Sequence, residues 1–112
     1  MIYGRTVNIP VTIASGQTES SSAEVGNMLL SGIVFPATMT GATITFKWSF
    51  DNTTFVDVKE TDGSAVSYTA AHGDVIRLDP SGWSFAGQGF LKIVSAGAEG
   101  AERKVNLLFR TA

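Results

Sequence analysis

The sequence predicts an all-β fold, an antiparallel β-sandwich of jelly-roll type with about eight strands. Three observations carry that reading: segments whose apolar residues alternate with polar ones, turn-forming residues between them, and no stretch with the periodicity of an amphipathic helix. The clearest segment runs from 41 to 60, where Ile44, Phe46, Trp48 and Phe50 alternate with Thr43, Thr45, Lys47 and Ser49. Side chains on an extended chain point to opposite faces in turn, so the first set is expected in the core and the second in water. Asp51 and Asn52 follow, both tolerant of left-handed backbone and able to bond nearby amides, and a second alternating stretch completes a hairpin.

The remaining elements follow in order. Residues 5–13 alternate Val7, Ile9, Val11 and Ile13 with polar neighbours, and Pro10, which has no N–H for a ladder, predicts an edge strand or a bulge. Residues 14–22 are Ser-rich and read as a turn and a short polar strand. Residues 28–35 form a nearly continuous apolar run ending at Pro36, which predicts a central strand covered on both faces. After the hairpin, the turn at Thr61, Asp62, Gly63 and Ser64 leads to a third short strand over 65–69, giving a meander at the centre of the chain. Residues 75–78 are a further strand, stopped by Asp79, Pro80, Ser81 and Gly82, and 83–89 read as irregular. The last two strands are 89–95 and 104–110, joined by a small-residue loop, 96–103, that is expected to be mobile.

A chain of 112 residues is expected to form one domain, residues 1–112, and to bury about two-thirds of the surface its unfolded form exposes. Hydrophobic residues make up 44% and charged residues only 16%, so Ser, Thr, Asn and Gly must cover much of the surface. The formal net charge is -2 with no cluster of Lys or Arg, which argues against a nucleic-acid partner. The sequence has no Cys, and so no disulfide, thiol nucleophile or Cys-bound zinc. No apolar run approaches the roughly 20 residues that span a bilayer, and no leader is expected at the N-terminus. The chain is read as soluble, without a membrane partner.

No constellation of reactive residues stands out. His72, the single histidine, lies near Asp74 and Asp79, but a catalytic histidine needs a nucleophile and an orienting carboxylate, and the spacing supplies neither. Asp51, Asp57, Asp62, Asp74 and Asp79 are spread over separate turns rather than alternating in one loop as calcium ligands do. The glycines around Gln88 and at Gly97 lack the helix and Lys of a phosphate loop. The expectation is therefore no catalytic residue, no metal, no cofactor and no enzyme. Trp48 is expected in the core. Trp83, beside Phe85 in the irregular segment, is read as plugging the end of the sandwich, with a place in an interface as the competing reading.

Four segments, taken in order, resemble small structural proteins of tailed-bacteriophage virions: Gly32-Ile33-Val34-Phe35-Pro36-Ala37, Ser49-Phe50-Asp51-Asn52-Thr53-Thr54-Phe55, Leu78-Asp79-Pro80 and Phe90-Leu91-Lys92-Ile93-Val94-Ser95. The resemblance runs from about residue 11 to 110 and includes Arg103 before the last strand. It implies a virion protein, foremost a head decoration (cement) protein that binds the major capsid protein or another virion protein. The oligomer it suggests is symmetric, with a trimer favoured, assembled on the particle in the host cytoplasm. A carbohydrate-binding module of a head or tail fibre, touching a host glycan, is the alternative. Candidate contact residues are Ile2, Tyr3 and Arg5 at the N-terminal end, where the first two are apolar for a free terminus, together with Trp83 and Phe85. Glu99, Glu102, Arg103 and Lys104 complete the set; their simplest reading is a solvated loop rim.

Overall fold

The alternating segments pair from the outside of the sequence inward. In the computed structural model, which describes residues 5–111, the strands are β1 (Thr6–Ile13), β2 (Ala23–Glu24), β3 (Met28–Val34), β4 (Thr43–Ser49), β5 (Val56–Asp57), β6 (Tyr68–Thr69), β7 (Val75–Arg77), β8 (Phe90–Ser95) and β9 (Arg103–Thr111). The first strand pairs with the last, Thr6 opposite Arg110, and β2 pairs with β8, Ala23 opposite Leu91. Moving inward, β3 pairs with β7, Gly32 opposite Arg77, and β4 pairs with β5, Trp48 opposite Val56. The chain is thus one long antiparallel ribbon with the 41–60 hairpin at its tip. Rolling the ribbon brings β9 against β3 and β8 against β4, which closes two sheets in the orders β1-β9-β3-β7 and β2-β8-β4-β5. This is the jelly-roll sandwich the sequence predicts.

The space between the sheets is filled by the inward members of each alternation. Val11 and Ile13 of β1, Leu30 and Ile33 of β3, Ile44 and Phe46 of β4, Leu91 and Ile93 of β8, and Val105, Leu107 and Phe109 of β9 are all buried. Pro10 lies on β1, which has β9 as its ladder partner on one side and is an edge of its sheet, as its missing donor requires.

Five parts of the chain depart from the sequence reading, the fifth being the loop at 96–103. The apolar run at 28–35 is not covered on both faces. Its register shifts between Leu30 and Gly32, so an extra residue at Ser31 carries the inward set from Leu30 to Ile33 and Phe35. A bulge in a half-buried strand thus mimics the apolar continuity of a fully buried one. The central meander is also altered, because β6 returns to pair with β4 on the same edge as β5, Ile44 opposite Tyr68. Residues Pro80–Ala86 form a 3₁₀ helix rather than an irregular segment; the Asp79 carboxylate accepts from the Ser81 N–H at its start, and Pro80 sits where no donor is needed. Phe50, finally, is not in the core. β4 ends at Ser49, and the chain turns outward there.

The loop at 96–103 is pinned, because Glu99 is not on a solvated rim but only 1% exposed. Its carboxylate accepts from Thr40 N (2.8 Å), Gly41 N (2.9 Å), Ser95 Oγ (2.6 Å) and Arg103 Nε (2.9 Å). Thr40 and Gly41 lie on the connection from β3 to β4, and Glu99 lies on the connection from β8 to β9. Both connections cross from one sheet to the other, so this one side chain ties the two crossings together. Gly41 is required at that point because a Cβ would collide with Ser95 Oγ.

Burial pushes the Glu99 carboxyl up, but the hydrogen bonds from Ser95, Thr40, Gly41 and Arg103 outweigh it and hold the group at about 2, below its ordinary 4.5. A carboxylate with a depressed value stabilises the fold fully above the ordinary value and loses that contribution as pH falls toward the depressed one. The difference corresponds to about 3 kcal/mol at neutral pH. Replacing Glu99 by Ala leaves Arg103 and two amides without their acceptor, and should lower the unfolding free energy by about 3–5 kcal/mol in urea denaturation at pH 7. Glu99→Gln should flatten the loss of stability between pH 4.5 and 2 relative to the parent chain.

Candidate functional site

Three of the large apolar side chains that remain exposed gather around Trp48. Phe50 is 82% exposed, Val56 57% and Phe85 48%. Each is placed by a different element. Trp48, on the same face of β4 as Ile44 and Phe46, is half-buried against the edge of the core, and Val56 pairs with it across the β4–β5 ladder. Phe50 is held by the turn behind it, in which the Asp51 carboxylate accepts from Thr54 N (3.0 Å), Thr53 N (2.9 Å) and Ser49 Oγ (2.9 Å). The bonds from Thr54, Thr53 and Ser49 keep the Asp51 carboxyl at about 2, and Asn52 takes the left-handed backbone (φ 61) that closes the turn. Phe85 projects from the 3₁₀ helix.

The rings form a connected array. Phe50 meets Trp48 edge-on at 4.4 Å between ring centroids, and Phe85 meets it at 6.2 Å on another side. Behind them Trp83 lies 5.7 Å from Phe85 and packs edge-on against Phe46 at 4.7 Å, which connects the exposed array to the core. The Trp48 indole is fixed in orientation. Its Nε1 donates to the Ala86 carbonyl at 3.1 Å, and the ring rests on Gly89, where a Cβ would occupy the space of the indole. An aromatic surface that is both exposed and rigid loses little entropy when covered, the property of a contact anchor.

Two clefts flank Phe85. One, of ≈ 260 Å³, is lined by Trp48, Val56, Asp57, Val58, Lys59 and Phe85. The other, of ≈ 490 Å³, runs from the same Val58, Lys59 and Phe85 past Tyr68 to Trp83 and Asp79. Asp57, Lys59 and Glu60 give the aromatic floor a polar rim. Among the described residues no group of three or more His, Asp or Glu side chains is placed to hold a metal ion, and His72 is exposed on the turn after β6.

The contact residues expected from sequence do not form one surface. Ile2 and Tyr3 lie outside the described residues. Arg5 stands at one end of the β1–β9 ladder and Arg103 and Lys104 at the other, where they pair with Ile13 and Thr12. Glu102 and Lys104 are exposed, but Glu99 is buried within the chain and the mostly buried Arg103 side chain is bonded to it, so neither Glu99's carboxylate nor Arg103's Nε is free for a partner. Trp83, 4% exposed, plugs the sandwich as expected, and its neighbour Phe85 faces solvent. Sequence reasoning places Trp48 in the core, and Trp48 is half-buried against it; Phe50 is missed because the alternation of β4 is extended through the turn, and Val56 is not singled out. The Ser49-x-Asp51 pair that ends the strand is the signal that marks Phe50 as lying outside it.

The fold is shared with a prophage-derived protein. The structure of SPBc2 prophage-derived protein YomS superposes with a TM-score of 0.62 at 14% sequence identity, over 99% of this chain and 97% of that one. Two further structures align at TM-scores that fall short of a common fold. These are exo-inulinase from Aspergillus awamori, at 0.37 and 14% identity over 99% of this chain and 29% of that one, and the cyanophage Pam1 capsid asymmetric unit, at 0.35 and 14% identity over 98% and 86%. No protein-family model matches the sequence, and no curated protein matches it.

Exposed and buried members of the array should separate cleanly in mutagenesis. Trp83→Ala should destabilise the protein by about 3–5 kcal/mol, as a large core truncation does. Phe50→Ser removes one edge contact from a side chain already in water and should change stability by no more than about 1 kcal/mol. Thermal and urea unfolding of the two variants checks both.

Proposed function

We propose that this protein is a non-enzymatic structural component of a bacteriophage virion, and within that class a decoration (cement) protein that binds the surface of the head. The observation that carries the reading is the exposed apolar face of Phe50, Val56 and Phe85 gathered around the fixed indole of Trp48. Support also comes from a fold shared along nearly the whole chain with a prophage-derived protein, and from the sequence resemblance to phage virion proteins. An exposed apolar cluster with a polar rim has the composition of a contact surface, in which a few aromatic anchors supply most of the binding energy.

The mechanism asks little of each contact. A decoration protein bridges neighbouring shell subunits and stabilises them by binding the assembled state and not the dissociated one. Copies repeated on a lattice gain avidity from one another, the more so if each is part of a trimer that engages the shell at several points at once. In this reading the major capsid protein is the partner, the protein is a symmetric homo-oligomer, and assembly takes place on the particle in the host cytoplasm.

One observation favours a second reading. The ≈ 260 Å³ cleft sets Trp48 and Phe85 beside Asp57 and Lys59, an aromatic face with hydrogen-bonding groups at its edge, which suits a sugar ring of a host glycan and a place on a fibre.

Purified protein added to phage heads that lack it separates the two. Saturable uptake and a raised temperature of shell disruption are expected for the parent chain, with both effects lost in Phe50→Ser/Phe85→Ser. Heads that take up no protein, combined with glycan-array binding that disappears in the same variant, would replace the decoration reading with the glycan one.

A further inference from the structure

The outer face of the sheet β1-β9-β3-β7 carries a second feature, unrelated to the aromatic array. Arg5, Arg77 and Arg110 converge on one pocket of ≈ 380 Å³. The pairing explains how residues so far apart in sequence meet. Arg110 of β9 stands between Thr6 of β1 and Leu29 of β3, Arg77 of β7 pairs with Gly32 of β3, and Arg5 precedes β1 opposite Thr111, so the pairing brings the three to the same end of the sheet. The bulge at Ser31 brings a hydroxyl to the same pocket, with its Oγ donating to the Leu108 carbonyl at 3.1 Å. Leu78 and Pro80 supply an apolar wall.

The arrangement is one of segregated charge. The chain as a whole is net negative, -2, yet three arginines line one cavity. Among the described residues the ion pairs are Glu19 with Lys47 and Lys92, and Glu99 with Arg103, so none involves these three arginines. Bringing three cations together raises the energy of the empty site, and an oxyanion offsets that cost through fork-shaped, charge-assisted hydrogen bonds. Arg77 and Arg110 sit on paired strands, and Arg5, just before β1, is tied to Thr111 through its backbone N–H and carbonyl, so their spacing is set before any ligand arrives.

We infer that this pocket binds clustered carboxylates, and that its occupant is an acidic segment of a partner protein. The cluster is confined to one end of the sheet instead of forming a stripe, so it does not track a nucleic-acid backbone. Its mixture of arginine with Leu78 and Pro80 matches the composition of protein interfaces, where Arg is enriched. The site does not depend on the aromatic face or on the virion reading, and either can fail while the other stands.

The test is titration of the full chain with a fluorescent glutamate hexapeptide at low ionic strength, with inorganic pyrophosphate as competitor. Saturable binding is expected, weakened at least about tenfold by Arg77→Gln/Arg110→Gln. Amide shifts are expected at Thr6, Ser31, Arg77 and Arg110. Lys104→Gln, on the same strand but at the far end of the ladder, should leave the affinity unchanged, and pyrophosphate should displace the peptide. The surface arginine changes should leave the unfolding temperature near that of the parent chain. Absence of peptide binding, equal binding by the double variant, equal loss in Lys104→Gln, or binding of pyrophosphate without the peptide would each overturn the inference.

Discussion

The Glu99 carboxylate is the constraint around which the rest of the sandwich is organised. A jelly roll has no local ladder to hold its sheets face to face, because each long strand pairs with a partner remote in sequence and the sheets meet only through side chains. The crossings between sheets are where the roll could open. Glu99 accepts from two backbone amides of one crossing while bonded to Ser95 and Arg103 on either side of the other. The acceptor is ionised, its four bonds are directional and its surroundings are dry, so the tie is worth far more than a surface ion pair such as Lys47 with Glu19.

That tie fixes consequences elsewhere. With Thr40 and Gly41 anchored, β4 enters its sheet in one register, which places Phe46 in the core against Trp83 and puts Trp48 over Gly89. The 3₁₀ helix is held in turn by Trp83 packing and by the Trp48 bond to the Ala86 carbonyl, and so Phe85 stands where it does. The aromatic face and the arginine pocket are thus products of the same roll on its two sides: one at the tip of the ribbon, the other where its two ends and middle are brought side by side.

Much of this architecture is written in local pattern. The alternation in β4, β8 and β9, the Pro10 edge and the Asp-rich turns each follow from side-chain period or backbone tolerance, and together they lead to the right class of fold. What the pattern does not carry is pairing. Glu99 sits among Gly97, Ala98, Gly100 and Ala101, which reads as a loose loop until residues 58 and 59 positions away are seen to close on it. The close approach is marked instead at Gly41, where a Cβ would collide with Ser95 Oγ. Similarly, Arg5, Arg77 and Arg110 are three scattered charges in sequence and become one site only once β1, β9, β3 and β7 lie in order. The apolar run of β3 and the position of Phe50 were obscured for a different reason, since a bulge and a strand end both break the period of two; Gly32 stands at the bulge, but a lone Gly in an apolar run does not by itself tell a bulge from a buried strand.

The functional account rests on a surface, not on reactive chemistry. An apolar patch of Trp48, Phe50, Val56 and Phe85 has to be covered by something if it is an anchor, and in a virion its cover would be a neighbouring subunit. A three-dimensional reconstruction of the assembled particle by electron cryo-microscopy addresses this directly. The account predicts density for this chain on the outside of the head, with that aromatic face buried against a shell protein. A particle without the chain, or one that carries it with Phe50 and Phe85 facing solvent, would contradict it.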